Sequence, residues 1–315
     1  MELIRSQFGT YFYQECKNPE QKKGSIIFIH GYATTSAYHD VFATFIDQDY
    51  DYYALQLPGH GVEDYKAYTD KKIEVDFYTN YCVRLIKSLD LKKFFLIGHS
   101  MGGGIGIRVA NSFNKDVLAY AAITPMNSHL PISTIFNFFA FAPKNEVKTA
   151  KLTNRVYKDF EKTIGKENID QHISNEIEYQ KRHHHFFVDL KKSMFSFKNW
   201  KICKNSEHHL KVPTLAIAGR FDRLIPYKSV LKTFKNKPNA KVVIFEQSGH
   251  IPFQEEKELY AKTVLDFFEQ YVPAYQINKI KAIKEKETQL LLLADHSSTN
   301  QPNENQENKK ELIIS

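Results

Sequence analysis

Phe94-Phe-Leu-Ile-Gly-His-Ser-Met-Gly102 is a short apolar run, then a turn of small residues around one serine, then the start of a stretch with helical patterning that continues to 113. Four consecutive apolar residues closed by glycine suit a strand buried on both faces. Ser100 therefore falls on a strand-to-helix turn. A G-x-S-x-G turn of this kind needs small residues two before and two after the serine, because side chains there would strike the adjoining strand or helix. Gly103, Gly104 and Gly106 extend the small face, so the helix after the serine can approach the sheet closely.

The same rhythm runs outward in both directions. Apolar, β-rich runs at 25–29, 51–57 and 118–123 alternate with helical patterns at 37–48, 72–89 and 101–113. The alternation returns with strands at 214–218 and 241–245 and helices at 226–235 and 254–271. Strict strand–helix alternation implies an α/β fold with a mostly parallel, doubly wound sheet. Residues 8–13 add an antiparallel N-terminal hairpin. Residues 127–211 interrupt the pattern with several helical stretches rich in Phe, Tyr, Lys and His, and are expected to form a helical cap inserted into a core made of 1–126 and 212–275. A C-terminal extension, 276–315, opens with a basic helical pattern at 277–293 and ends in a polar tract whose composition is that of a disordered tail.

A serine hydroxyl is a poor nucleophile without a base, and the base needs an orienting acid. Asp222 follows the strand at 214–218 and His250 follows the strand at 241–245, in the chain order Ser…Asp…His expected when three parallel strands deliver their loops to one sheet edge. Two backbone N–H groups must meet the developing oxyanion. Met101, next after the serine, supplies one candidate, and Tyr32, in the loop His30-Gly-Tyr32, supplies the other. The chain is glycine-poor, yet ten of its 13 glycines fall in loops after these strands or at the serine turn, where close backbone approach is needed.

These stretches resemble the α/β-hydrolase superfamily, in its serine esterase and lipase-like branch of the monoacylglycerol lipase and carboxylesterase type. The similarity is carried by His30-Gly-Tyr32, Leu57-Pro-Gly-His-Gly61, Gly98-His-Ser-Met-Gly-Gly103, Gly219-Arg-Phe-Asp222 and Ser248-Gly-His250. It implies catalysis by Ser100, Asp222 and His250 on a carboxylic ester with a hydrophobic acyl group, without a metal or organic cofactor. It implies less about substrate, because thioesterases and C–C bond hydrolases share these motifs. A binding protein without catalysis on this fold is a more distant alternative. Two departures stand out: the loop after His30-Gly31 lacks a further glycine, and the cap matches no familiar pattern. The resemblance also makes the cap part of the acyl pocket, with Phe136 and Phe139 from the Phe-rich run 135–141 and Ile251 beside the histidine as lining candidates.

With 42% hydrophobic and 25% charged residues, the chain has enough apolar content for a sizeable core and excludes wholesale disorder. The net charge of +7 invites a nucleic-acid reading, but residues 144–211 alone hold 15 Lys/Arg against 9 Asp/Glu, interleaved with acids and aromatics. A solvated helical surface accounts for that pattern, and a face attracting anionic substrates or lipid headgroups is the functional alternative. Nucleic acid is not an expected partner. No apolar run is long enough to span a bilayer and no signal peptide is visible. Three widely spaced cysteines fit neither a disulfide framework nor a zinc site, so a reducing cytoplasm is expected. Adjacent histidines diverge on a helix, so His183-His-His185 is read as cap surface rather than metal ligands. His30 and His60 are read as structural loop residues, and 290–293 as a helix that docks on the body or contacts a membrane surface.

Overall fold

The computed structural model describes residues 1–61, 73–135, 146–277, 279, 280 and 284. By its contacts, Met1–Tyr275 is one compact unit and Gln276–Ser315 a second. Among the described residues, eight strands form a single sheet: β1 (Glu2–Ser6), β2 (Gly9–Gln14), β3 (Gly24–Ile29), β4 (Tyr50–Gln56), β5 (Phe94–His99), β6 (Val117–Ile123), β7 (Thr214–Gly219) and β8 (Ala240–Phe245). Their spatial order is β1-β2-β4-β3-β5-β6-β7-β8. The expected hairpin is β1–β2, and β2 runs antiparallel to β4, while β4 through β8 are all parallel.

Strand periodicity divides the core into two layers. Ile27 and Ile29 of β3 face a layer shared with α2 (Val75–Ser88), α3 (Met101–Ser112) and α9 (Tyr227–Phe234). Ile26 and Phe28 face the opposite layer, packed by α1 (Asp40–Ile46) and α11 (Lys257–Glu269). Helices on both faces make this the doubly wound α/β fold expected from the alternation. Between β6 and β7 the chain forms α4 (Glu146–Val156), α5 (Phe160–Ile164), α6 (Ile169–Arg182), α7 (His184–Met194) and α8 (Phe197–His209), with no strand among the described residues of that segment. Arg108 anchors α8 to the core. Its buried guanidinium donates to Asp76 of α2 at 2.8 Å and to Asn199 of α8 at 2.5 Å.

Two expected helices differ in detail. The pattern at 37–48 is a short 3-10 turn, Ser36–His39, followed by α1. The pattern at 254–271 is broken at Glu256 into α10 (Pro252–Glu255) and α11, because Glu255 and Glu256 direct their carboxylates to the preceding loop. The basic pattern at 277–293 and the apolar tract 290–293 lie almost wholly outside the described residues.

His39, at the end of the 3-10 turn, is fully buried and stacks on Phe28 with ring centroids 4.1 Å apart. Its Nδ1 lies 2.7 Å from the Tyr52 hydroxyl and its Nε2 lies 2.8 Å from the Tyr260 hydroxyl. A neutral ring satisfies both contacts, donating to one hydroxyl oxygen and accepting from the other. Burial accordingly holds the imidazole down to about 3. An unfolded histidine titrates near 6.5, so this contribution is complete above that pH and is lost as pH falls through the window below it. A His39→Gln variant should therefore be less stable than wild type at pH 7.5. The gap should shrink by about 2–3 kcal/mol at pH 4.5, as read from urea unfolding midpoints.

Candidate active site

The sheet order steps from β4 back across β3 to β5, which opens a crevice at the C-terminal ends of β3 and β5. Ser100 sits at that crevice with φ 55° and ψ −118°, a left-handed conformation that a non-glycine residue adopts only when its surroundings enforce it. The enforcement is visible in the flanking glycines. A methyl at Gly98 would meet the Gly102 carbonyl oxygen at 2.5 Å, and one at Gly102 would collide with the carbonyl oxygens of Ile29 and His30. The serine carbonyl accepts from the N–H groups of Gly103, Gly104 and Met126, which fixes the turn from both sides.

The loops after β7 and β8 reach the same point. His250 Nε2 lies 2.9 Å from Ser100 Oγ, and His250 Nδ1 lies 2.7 Å from Asp222 Oδ2. The second carboxylate oxygen of Asp222 accepts the N–H groups of Leu224 and Ile225, each at 2.8 Å, and the side chain has no solvent exposure. The acid is thus oriented by two donors on one oxygen and presents the other to the imidazole. The three residues expected from the sequence meet in one hydrogen-bonded chain.

The histidine is held by its backbone as firmly as by its ring. His250 N–H donates to the carbonyl of Val156 at the end of α4, at 2.6 Å. Its carbonyl accepts from His99 Nε2 at 3.0 Å and from the Thr124 hydroxyl at 3.1 Å. Burial, with His250 alongside, keeps His99 well below the usual imidazole range, so it is a neutral donor at ordinary pH. Glu255 accepts Gly249 N–H at 2.7 Å and Lys158 N–H at 2.6 Å, one on each oxygen. Glu256 accepts the Ser248 hydroxyl at 2.6 Å. Glu255 thus ties the histidine loop to the segment after α4, and Glu256 holds the loop to the start of α11. Sequence reading missed them because they lie inside a stretch with continuous helical patterning.

Tyr32 and Met101 both lie beside Ser100. Met101 opens α3, so its N–H belongs to the first turn, where such groups have no partner inside the helix. The loop after β3 passes close by, since a Cβ at Gly31 would lie 3.1 Å from Ser100 Cβ. Tyr32 is anchored by its hydroxyl, which donates to the carbonyl of Phe187 in α7 at 3.2 Å. His30 is structural: its Nδ1–H donates to the Gly31 carbonyl and its Nε2 accepts Leu57 N–H, and burial lowers it to about 4. His60 is likewise buried, with Nδ1 3.2 Å from the Pro58 carbonyl.

A cavity of about 150 Å³ lies above Ser100. Its apolar lining includes Leu152, Val156, Leu224 and Ile251, the last being the residue next to the histidine. Its polar lining includes Glu176 and Gln180 of α6 and His184 and Lys191 of α7. Gln180 Nε2 donates to Glu176 at 2.9 Å, and burial raises the carboxyl of Glu176 above its ordinary range. The spacing of His172, Glu176 and Gln180 at i, i+4 and i+8 was the available signal that one face of α6 points inward. Phe136 and Phe139 lie outside the described residues. The histidine run departs from a purely surface role: His184 is exposed at the cavity, whereas His183 is buried, its ring stacked on Phe187 with centroids 5.4 Å apart.

A family model described as serine aminopeptidase, S33, matches residues 20–257, which include strands β3 to β8 and all three residues of the hydrogen-bonded chain. The chain belongs to this serine hydrolase family. Among relatives of the S33 protein is one named "Putative esterase/lipase 3" in Mycoplasma pneumoniae, 27% identical over 262 residues, covering 81% of this chain and 90% of the relative. Another is the pimeloyl-[acyl-carrier protein] methyl ester esterase of Wigglesworthia glossinidia brevipalpis, 24% identical over 266 residues and covering 78% and 94%. A crystal structure described as a membrane phospholipase A and bacterial virulence factor superposes with a TM-score of 0.70 over 86% of each chain, at 19% identity, and so shares the fold. The S33 chain is therefore an esterase- and lipase-like α/β-hydrolase. Among its described residues, no helix is long and apolar enough to cross a membrane.

Proposed function

We propose that this protein hydrolyses carboxylic esters with a hydrophobic acyl group through an acyl-enzyme on Ser100. The observation that carries the reading is the unbroken Ser100–His250–Asp222 hydrogen-bonded chain, at 2.9 and 2.7 Å, beneath a cavity whose lining includes Leu152, Val156, Leu224 and Ile251. Ser100 Oγ attacks the ester carbonyl carbon while His250 Nε2 takes its proton. Asp222, fixed by the Leu224 and Ile225 N–H groups, holds the Nδ1–H tautomer and stabilises the imidazolium. The N–H groups of Tyr32 and Met101 receive the oxyanion, each donor contributing about 3 kcal/mol at the transition state. His250 then protonates the departing alcohol, and a water activated by the same ring hydrolyses the acyl-serine. In this reading residues 127–211 act as a cap on a core of 1–126 and 212–275. Leu152 and Val156 from the cap, with Leu224 and Ile251 from the core, take the acyl chain.

Burial of each added methylene contributes roughly 0.8 kcal/mol, about fourfold in kcat/KM while the chain still finds apolar wall. Turnover of p-nitrophenyl esters should therefore rise steeply from acetate and then level off as the pocket fills. Acyl-CoA thioesters, a C–C bond substrate and aminoacyl p-nitroanilides are the comparison arms. A preference for any of these over the best ester, or a flat response to chain length, would overturn the substrate assignment.

A further inference from the structure

α8 has two unlike faces. Asn199, Cys203 and Glu207 turn inward and are buried, and the Arg108 guanidinium reaches the first two of them. Phe197, Trp200, Lys201 and Lys204, at i, i+3, i+4 and i+7, turn outward. Phe197 is 70% exposed and Trp200 41% exposed, although both are large aromatics. Their rings stack with centroids 5.5 Å apart and planes 17° from parallel. The Lys201 ammonium lies over the Phe197 ring at 5.5 Å and the Lys204 ammonium over the Trp200 ring at 5.3 Å. An exposed apolar pair of this size is costly in water unless something covers it.

The surroundings indicate what kind of surface that is. Beside the pair runs an open groove whose ionisable lining is Lys201, Lys204, Lys237, His129, His208 and Glu207. Glu207, the one acid of that lining among the described residues, is buried and spends its carboxylate on Ser128, accepting the N–H at 2.7 Å and the hydroxyl at 2.6 Å. The open part of the groove is therefore positive. The field is felt locally, since Lys232 and Lys204 add to burial in lowering His129. Tryptophan beside lysines is the composition of a membrane–water interface, where the ring sits at headgroup depth and the lysine stem lies along apolar surface with its ammonium in the phosphate layer. A stacked nucleic-acid base needs an open ring face, and the Phe197 and Trp200 rings already stack on each other with an ammonium near each, which leaves less ring surface for a base.

We propose that the outer face of α8 and the groove beside it form a docking surface for an anionic lipid bilayer. Phe197 and Trp200 enter the headgroup region, and Lys201 and Lys204 meet the lipid phosphates. None of these side chains lines the cavity above Ser100, so the proposal stands independently of the ester-hydrolase reading.

Trp200 is the only tryptophan in the chain, which makes its emission a direct reporter. The probe is the full-length protein mixed with phosphatidylcholine vesicles, with and without phosphatidylglycerol. The expected result is a blue shift with the anionic vesicles alone, quenched by brominated acyl chains and reversed by salt, because surface charge is screened. The Lys201→Glu, Lys204→Glu double variant should bind at least about tenfold more weakly, with unchanged turnover of a short soluble ester. Absence of a shift with anionic vesicles would overturn the proposal. So would an equal shift with heparin or an oligonucleotide and no bromine quenching, which would assign the face to a polyanion. A shift that grows with protein concentration in the absence of vesicles would assign it to a second copy of the chain and overturn it equally.

Discussion

Ser100→Ala is expected to lower kcat on the best ester by at least about 10⁴-fold while leaving the fold intact. Nucleophile and base act as a unit, so removing the hydroxyl forfeits nearly the whole contribution of the triad and leaves only the part supplied by binding and the oxyanion donors. The substitution is structurally mild. Ser100 is held by its backbone, through its N–H to the Ile123 carbonyl at 3.0 Å and its own carbonyl to three N–H groups. Its strained conformation is imposed by the close approach of Gly98 and Gly102 to the helix and to β3, and a methyl side chain needs no more room than the hydroxymethyl it replaces. Steady-state kinetics on matched preparations, with unchanged urea midpoints, is the check. Near wild-type turnover by the variant would remove Ser100 from the mechanism.

Asp222→Asn should be almost as severe, at roughly 10⁴-fold in kcat, and for a reason specific to this site. The carboxylate divides its work: Oδ1 accepts two N–H groups, from Leu224 and Ile225, and Oδ2 faces His250 Nδ1. An asparagine has one acceptor oxygen. If that oxygen stays with the two backbone donors, the amide NH₂ faces Nδ1 and forces the ring into the tautomer with its proton on Nε2. Nε2 is then a donor toward Ser100 Oγ, and the base is lost. If the amide flips, the NH₂ confronts two buried N–H groups. The first arrangement keeps more hydrogen bonds, so the variant should fold with near-native stability and fail in kcat rather than KM. Retention of even a tenth of wild-type kcat would contradict the assigned role of the carboxylate.

The central strands and the serine turn were legible because local and tertiary demands agree there. A run buried on both faces reads as uniformly apolar, as 94–97 does, and a turn pressed between a helix and a neighbouring strand tolerates only glycine at 98 and 102. Asp222 and His250 were legible from their places after two further parallel strands. Where side chains act across long sequence separations, the sequence was silent. The helical pattern at 254–271 is continuous in composition, yet the chain breaks at Glu256, because that carboxylate holds Ser248 and its neighbour Glu255 holds Gly249. Tertiary hydrogen bonds outweighed helix propensity. The same holds for residues 127–211. The one signal there, the i, i+4, i+8 spacing on α6, joins polar residues rather than an apolar stripe, and α7 offers none, so Glu176, Gln180, His184 and Lys191 were not foreseen as cavity lining, and His183 was placed at the surface rather than under Phe187.

The hold of residues 127–211 on the histidine loop follows from contacts of the same kind. Val156 at the end of α4 receives the His250 N–H, and Tyr32 beside the serine reaches the Phe187 carbonyl of α7. Residues from 127–211 therefore help to position both the base and the loop that carries one of the proposed oxyanion donors.

Covalent capture of the nucleophile is the most direct test. The protein is treated with a fluorophosphonate ester, which reacts with a serine only when a neighbouring base activates it, and the adduct is located by mass mapping of peptides. The account predicts one adduct, on the peptide carrying Ser100, with esterase activity falling in step with labelling. Rapid ester turnover that persists while Ser100 stays unmodified, or stoichiometric labelling at another serine, would contradict it.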